Sequence, residues 1–78
     1  MFLTITFRIL ASGQEIDIQM NKNGSIASTL EVLASQEILP RALLENLTEV
    51  YSVRKREQID IKETYEESKI YTGDLLCI

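Results

Sequence analysis

The chain has 78 residues, 45% of them apolar and 26% charged, and its twelve acidic and eight basic side chains give a net charge of −4. This length fits one domain with a small packed core, and the composition is too apolar for a disordered chain. The chain has no histidine and one cysteine, Cys77, which excludes histidine-dependent catalysis, an intrachain disulfide and multi-cysteine metal sites. We therefore expect a protein that is not an enzyme and needs no cofactor or metal.

The charge balance and the N-terminal residues also restrict the partners. An acidic chain lacks the positive field that non-specific nucleic-acid binding requires. The first residues alternate instead of forming the charged leader and apolar run of a signal peptide, and no apolar run approaches the roughly 20 residues of a membrane helix. We expect a cytoplasmic protein with no direct membrane insertion.

The first twenty residues alternate between apolar and polar side chains, which predicts two β-strands. Residues 11–14 include glycine and small polar side chains, so they predict the turn of a hairpin. The inward side chains are Leu3, Ile5, Phe7 and Ile9 in the first strand, and Ile16, Ile18 and Met20 in the second.

A helix is predicted next, because Ser25 is a favourable N-cap residue. Ser28 and Glu31 also fit a capping box, which leaves open a start one turn later. The helix should end near Gln36 or Glu37. The apolar stripe that would lie across the sheet consists of Ile26, Leu30, Leu33 and Ala34.

The middle of the chain predicts a short helix and a third strand. Pro40 suits the first turn of a helix over 41–45. The strand lies within 47–53, and either Tyr51 and Val53 or Val50 point inward, because a shift of one residue exchanges the two faces of a strand.

The last third of the chain predicts two more strands around a single helical turn. Ile59 and Ile61 mark the fourth strand. The segment 64–67 reads as a second capping box and would start one helical turn before Ile70. Leu76 and Ile78 then alternate as a final strand, which we expect at the centre of the sheet.

This order of elements resembles the ubiquitin-like β-grasp, an α+β fold in which four to five strands pack on one main helix. The resemblance spans nearly the whole chain and implies a single domain over residues 1–78. Its most specific part is a spacing at which ubiquitin has Thr-Leu, Ile and two Leu residues. The matching residues here are Thr64-Tyr65, Ile70, Leu76 and Ile78.

Within that fold, the ending Ile-x-x-Gly-Asp-x-Leu-x-Ile, residues 70–78, is similar to that of small proteins of the YukD/EsaB type. Those proteins belong to type VII (WXG100) secretion loci of Gram-positive bacteria, have a similar length and lack a diglycine tail. The resemblance implies a protein partner, such as a cytosolic domain of the secretion ATPase or a membrane component. It implies no active site.

The C-terminal residues predict no covalent chemistry. Conjugation and sulfur transfer through a C-terminus need an unhindered carboxylate on flexible glycine, whereas here the last residue is β-branched Ile78, which we expect in the core. Cys77 has no basic neighbour in sequence that would activate its thiol as a nucleophile. We interpret it as a small strand residue.

The face of the sheet turned away from the helix is the candidate binding surface. Leu75 and Cys77 should lie on it, joined by Val50 if Tyr51 and Val53 point inward. Ubiquitin binds partners through the matching face, and contiguous exposed apolar area commonly marks an interaction site. Phe2, outward on the first strand, is a second candidate anchor.

Two charged clusters are interpreted as solvated surface. Residues 54–57 hold the only basic cluster and predict an exposed turn. Glu63, Glu66 and Glu67 suggest a metal or proton-transfer site, but Glu67 has a simpler role in the capping box and no third ligand is evident.

The sequence thus predicts a non-catalytic protein–protein interaction module, an accessory or regulatory component of a type VII secretion system. Two alternatives stay open. One is a small β-grasp subunit that stabilises a larger enzyme complex, and the other is a sulfur carrier or modifier-like protein.

Overall fold

The computed structural model describes residues 2–78 and shows one helix packed on a five-stranded mixed sheet, which confirms the predicted α+β class. The strands lie side by side in the order β2-β1-β5-β3-β4. In chain order the elements are β1 (Phe2–Ile9), β2 (Gln14–Asn21), α1 (Ile26–Ser35), a 3₁₀ turn (Arg41–Leu43), β3 (Glu49–Ser52), β4 (Glu57–Asp60) and β5 (Leu75–Cys77).

The predicted hairpin and the central position of the last strand are both confirmed. β1 and β2 pair antiparallel, with Phe7 opposite Ile16 and Ile5 opposite Ile18 on the inward face. β5 lies between β1, to which it is parallel, and β3, to which it is antiparallel. Beyond β5, Ile78 is half-buried against the core, and its amide donates to the Arg8 carbonyl at 2.9 Å.

The helix begins at Ile26 because the Ser25 hydroxyl accepts from the Ser28 amide at 3.1 Å. The alternative start one turn later is therefore wrong. After Ser35 the helix closes through bonds from the amides of residues 37 and 38 to the carbonyls of residues 34 and 33. This Schellman arrangement places Glu37 in the left-handed region, with φ of +59°.

The elements after the helix are shorter than predicted. Pro40 does start a helical turn, but it is a 3₁₀ turn that ends at Leu43. β4 ends at Asp60, so Ile59 is buried within the strand while Ile61 lies just beyond it. The 64–67 capping box forms, since the Thr64 amide donates to the Glu67 carboxylate at 2.9 Å and the Glu67 amide to the Thr64 hydroxyl at 3.0 Å.

The phase of β3, which the sequence left open, places Val50 and Ser52 inward. Val50 is 1% exposed and Ser52 fully buried, whereas Tyr51 and Val53 face outward. Val50 is therefore a core residue, and its conditional assignment to the outer surface is wrong. The physical reason is that Ser52 has a buried hydrogen-bonding partner, which makes a polar side chain acceptable at an inward position.

One core residue carries a polar group deep inside the molecule. Tyr65 is fully buried, and its hydroxyl donates to the Thr29 hydroxyl at 2.8 Å across the space between the 64–67 turn and α1. Burial raises the pKa of Tyr65 from its ordinary value of 10 to about 12, and the Thr29 bond offsets part of that rise.

Candidate functional site

The outer face of the sheet, opposite α1, carries a contiguous group of apolar side chains on β3 and β5. Tyr51 lies opposite Cys77 in the β3–β5 register, and the Val53 amide donates to the Leu75 carbonyl at 3.0 Å. We call Tyr51, Val53, Leu75 and Cys77 the outer-face patch. Tyr51 and Val53 are 36% and 42% exposed, so the patch offers apolar area to solvent on the strand next to the sheet's centre.

The four residues assigned to this surface from the sequence do not all meet there. Leu75 and Cys77 lie on the outer face as predicted, but Cys77 is only 8% exposed. Phe2 is 62% exposed, yet it stands four residues along β1 from Thr6, the residue beside Leu75, which is about 13 Å along a strand. Val50 lies in the core. Of the predicted anchors, Leu75 is the one that belongs to the outer-face patch and is still partly exposed.

Cys77 owes its burial to its neighbours in register. Arg8 on β1 and Tyr51 on β3 flank it on the same face, and both have long side chains. Arg8 is held by Glu15 of β2 in an ion pair of 2.6 Å. The buried free thiol thus lies between the long side chains of two neighbouring strands, an environment that suits a small packed residue.

A buried carboxylate fixes the patch in place. Asp74, 1% exposed, accepts from the Ser52 hydroxyl at 2.7 Å, the Leu75 amide at 2.7 Å and the Arg54 amide at 3.2 Å. Val53 lies between Ser52 and Arg54 in the chain, so this one carboxylate positions Val53 relative to Leu75. Three donors satisfy the buried charge and hold the β3–β4 turn against the start of β5.

The β3–β4 turn gives the patch a basic rim. The Arg54 guanidinium carbon lies 5.3 Å from the centroid of the Tyr71 ring, which is itself 53% exposed. Arg54 and Arg56 are exposed and, within residues 2–78, take part in no ion pair. Lys55 differs from the predicted solvated residue, because its ammonium group donates to the Ser68 carbonyl and pairs with Glu57 at 3.2 Å.

The acidic residues near 63–67 each have a structural partner. Glu63 accepts from the Ser68 hydroxyl at 2.9 Å, Glu66 pairs with Lys22 at 3.2 Å, and Glu67 serves in the capping box. Across residues 2–78, no group of three or more acidic or cysteine side chains is arranged to hold a metal ion. The acidic cluster is thus accounted for by the local fold.

Sequence reasoning missed Tyr51, Val53 and Asp74 as parts of the candidate surface. In the sequence Tyr51 and Val53 are alternatives to Val50 for the inward positions, and Asp74 is only one residue of the ending at 70–78. A signal for Asp74 exists, since an acidic residue directly before an apolar strand must either be solvated or find donors. The sequence does not say which.

The helix of the structure is short. Of the residues described, none belongs to a helix long and apolar enough to span a bilayer.

Comparison with known proteins identifies the fold. No family model matches the chain, and no curated protein matches its sequence. Among solved structures, it is similar to a de novo designed protein based on ubiquitin, with a TM-score of 0.73 and 24% identity over 97% of this chain and 84% of that chain.

Two natural domains have the same architecture at lower identity. The ubiquitin-like domain of Plasmodium falciparum Dsk2 gives a TM-score of 0.64 and 14% identity over 99% of this chain and 97% of that chain. The C-terminal ubiquitin-like domain of mouse tubulin-specific chaperone e gives a TM-score of 0.66 and 13% identity over 97% of this chain and 82% of that chain. The chain therefore has the ubiquitin-like β-grasp fold that its sequence predicts.

Proposed function

We propose that this chain is a non-catalytic protein–protein interaction module that binds its partner through the outer-face patch. The observation that carries the proposal is the apolar area on β3 and β5, where Val53 and Leu75 lie side by side on the face of the sheet opposite α1. Contiguous exposed apolar area on a small domain marks interaction surfaces, because such area gains most from removal from water.

The rim of the patch favours a partner that carries acidic residues. Arg54 and Arg56 lie in the turn that contains Val53 and have no ion-pair partner within residues 2–78, although the chain as a whole has a net charge of −4. Charge complementarity at a rim steers encounter and selects partners more than it adds affinity. We therefore propose an apolar anchor on the partner with carboxylates beside it.

The proposed biological setting is an accessory or regulatory role in a type VII secretion system, in the cytoplasm. The support is the similarity of residues 70–78 to the YukD/EsaB ending. In this ending Ile70, Asp74 and Leu76 are buried, so these residues anchor the segment that presents Leu75. The proposed partner is a cytosolic domain of the secretion ATPase or of a membrane component.

Affinity capture tests this setting. Tagged protein is expressed in the cells that make it, and the proteins retained are identified by mass spectrometry. Recovery of a secretion component in proportion to the bait supports the proposal. Recovery of no secretion component, or of a stoichiometric enzyme complex instead, overturns it.

A further inference from the structure

The β2 edge of the sheet is long and open. Within residues 2–78, β2 pairs with β1 on one side and has no strand on the other. Its eight residues contain neither proline nor glycine, whereas β4 at the opposite edge has four residues. Every second residue of such a strand turns its amide and carbonyl towards the open side, which offers a template for one more strand.

An apolar groove runs beneath this edge, between β2 and α1, with a volume of about 260 Å³. Ile18 and Met20 of β2 and Val32 of α1 line it. The two β2 side chains are half-buried and Val32 is 54% exposed, so the core is incompletely covered here. A strand added beside β2 would point alternate side chains into this groove and bury the remaining apolar area.

The opposite face of β2 is acidic. Glu15 and Asp17 are exposed there, and Arg8 pairs with Glu15. Asp17 accepts a hydrogen bond of 2.6 Å from the Thr6 hydroxyl and, within the described part of the chain, has no ion-pair partner. Directly opposed residues on neighbouring strands lie about 4.5–5.5 Å apart, so a cation on an added strand would be favourable beside Asp17.

We propose that the β2 edge binds an extended segment of another protein by strand addition, and that apolar residues alternate with lysine or arginine in that segment. The apolar residues would enter the groove and the cations would face Asp17 and Glu15. A second copy of this chain fits less well, because antiparallel pairing of two β2 strands would place the carboxylates of both copies on one face. This surface is separate from the outer-face patch, since β1 lies between β2 and β5.

Two synthetic peptides of equal length test the proposal, one alternating valine with lysine and the other alternating valine with glutamate. Each is titrated into isotope-labelled protein while the backbone amide shifts are followed by NMR. The lysine peptide should shift the β2 amides and slow their hydrogen exchange, and the glutamate peptide should bind about tenfold more weakly or not at all. Equal binding of both, binding of neither, or shifts centred on Leu75 would overturn the proposal.

Variants locate the binding without unfolding the domain. Val32→Lys changes an exposed helix position in the wall of the groove and should weaken the lysine peptide about tenfold. Asp17→Asn should weaken it about two- to fivefold. Val53→Glu, on the outer-face patch, should leave it unchanged.

Sedimentation of the free protein tests whether a second copy of this chain occupies the β2 edge instead. A dimer that Val32→Lys dissociates would assign the edge to a second copy and overturn the proposal. A monomer at the peptide-binding concentration is the expected result.

Discussion

At the level of single residues, the carboxylate of Asp74 has the largest influence on the outer face, because three donors from β3, the β3–β4 turn and β5 converge on it. The Ser52 hydroxyl also accepts from the Lys55 amide at 3.1 Å, so the turn is bonded twice to the same pair of side chains. Loss of the carboxylate would leave buried donors without acceptors, which costs more than a well-made hydrogen bond contributes.

Asp74→Ala should therefore destabilise the protein by about 2–4 kcal/mol, as several buried donors lose their acceptor together. Asp74→Asn keeps one carbonyl oxygen and should cost less. Urea unfolding of the two variants and the parent measures the difference. A cost for Asp74→Ala within about 0.5 kcal/mol of zero, the range of ordinary surface substitutions, would contradict the role given to this carboxylate.

The raised pKa of Tyr65 predicts that the stability of the fold depends on pH in the alkaline range. The folded protein keeps the phenol proton up to a pH of about 12, whereas the unfolded chain releases it near 10. The contribution to stability is thus complete below pH 10 and is lost as the pH rises through 12. The free energy of unfolding should fall over this range by on the order of 2–3 kcal/mol from this residue.

Tyr65→Phe provides the comparison, since it keeps the ring and removes the titrating group. Its stability at neutral pH should be about 1 kcal/mol lower, because the Thr29 hydroxyl loses its partner. Between pH 10 and 12 its stability should decline less steeply than that of the parent. Chemical denaturation measures both stabilities. If they decline in parallel, Tyr65 does not hold its proton in the folded state.

At the level of the elements, the turn that closes α1 contains a non-glycine residue in an unfavourable backbone conformation. Glu37 has φ of +59° at the position where a helix that closes in this way usually has glycine. A side chain in the left-handed region costs roughly 1–2 kcal/mol. Glycine avoids this cost, but it loses more conformational entropy on folding, which cancels part of the gain. Lys69 repeats the arrangement after the 64–67 turn, with φ of +58°.

Glu37→Gly should accordingly raise the free energy of unfolding by about 0.5–1 kcal/mol. The matched control is Gln36→Gly one residue earlier, where φ is −93° and glycine brings only its entropic cost. That control should lose about 0.5–1 kcal/mol. Thermal unfolding of both variants measures the two changes, and a loss of stability in Glu37→Gly would refute the argument.

The same elements show what the sequence can and cannot predict. The β1–β2 hairpin, the Ser25 cap and the 64–67 capping box follow from local patterns, because their hydrogen bonds join residues close in sequence. The phase of β3 does not follow from a local pattern, since apolar residues occupy both faces of the strand, Val50 on one and Tyr51 and Val53 on the other. The bond that decides it runs from Ser52 to Asp74, 22 residues away. Only the folded chain brings these two side chains together.

At the level of the whole molecule, the domain presents two apolar surfaces of different chemistry. The outer-face patch on β3 and β5 has a basic rim at Arg54 and Arg56, whereas the groove beside β2 has acidic neighbours. Because β1 separates the two surfaces, one domain could bind two partners at once. The sequence predicted the face that holds the outer-face patch. It did not predict the composition of that patch, because the phase of β3 decides whether Val50 or Val53 lies on the outer face.

Two single substitutions test whether the outer-face patch binds the partner. Val53→Glu and Leu43→Glu each place a carboxylate on an exposed apolar residue, 42% and 37% exposed, and Leu43 lies on the 3₁₀ turn, outside the outer-face patch and the groove beside β2. Circular dichroism first confirms that both variants are folded, and the amount of secretion component captured by each is then compared with the parent. Val53→Glu should capture at least about tenfold less of the secretion component, whereas Leu43→Glu should capture as much as the parent. Parental capture by Val53→Glu, or an equal loss in Leu43→Glu, would show that the outer-face patch does not bind the partner.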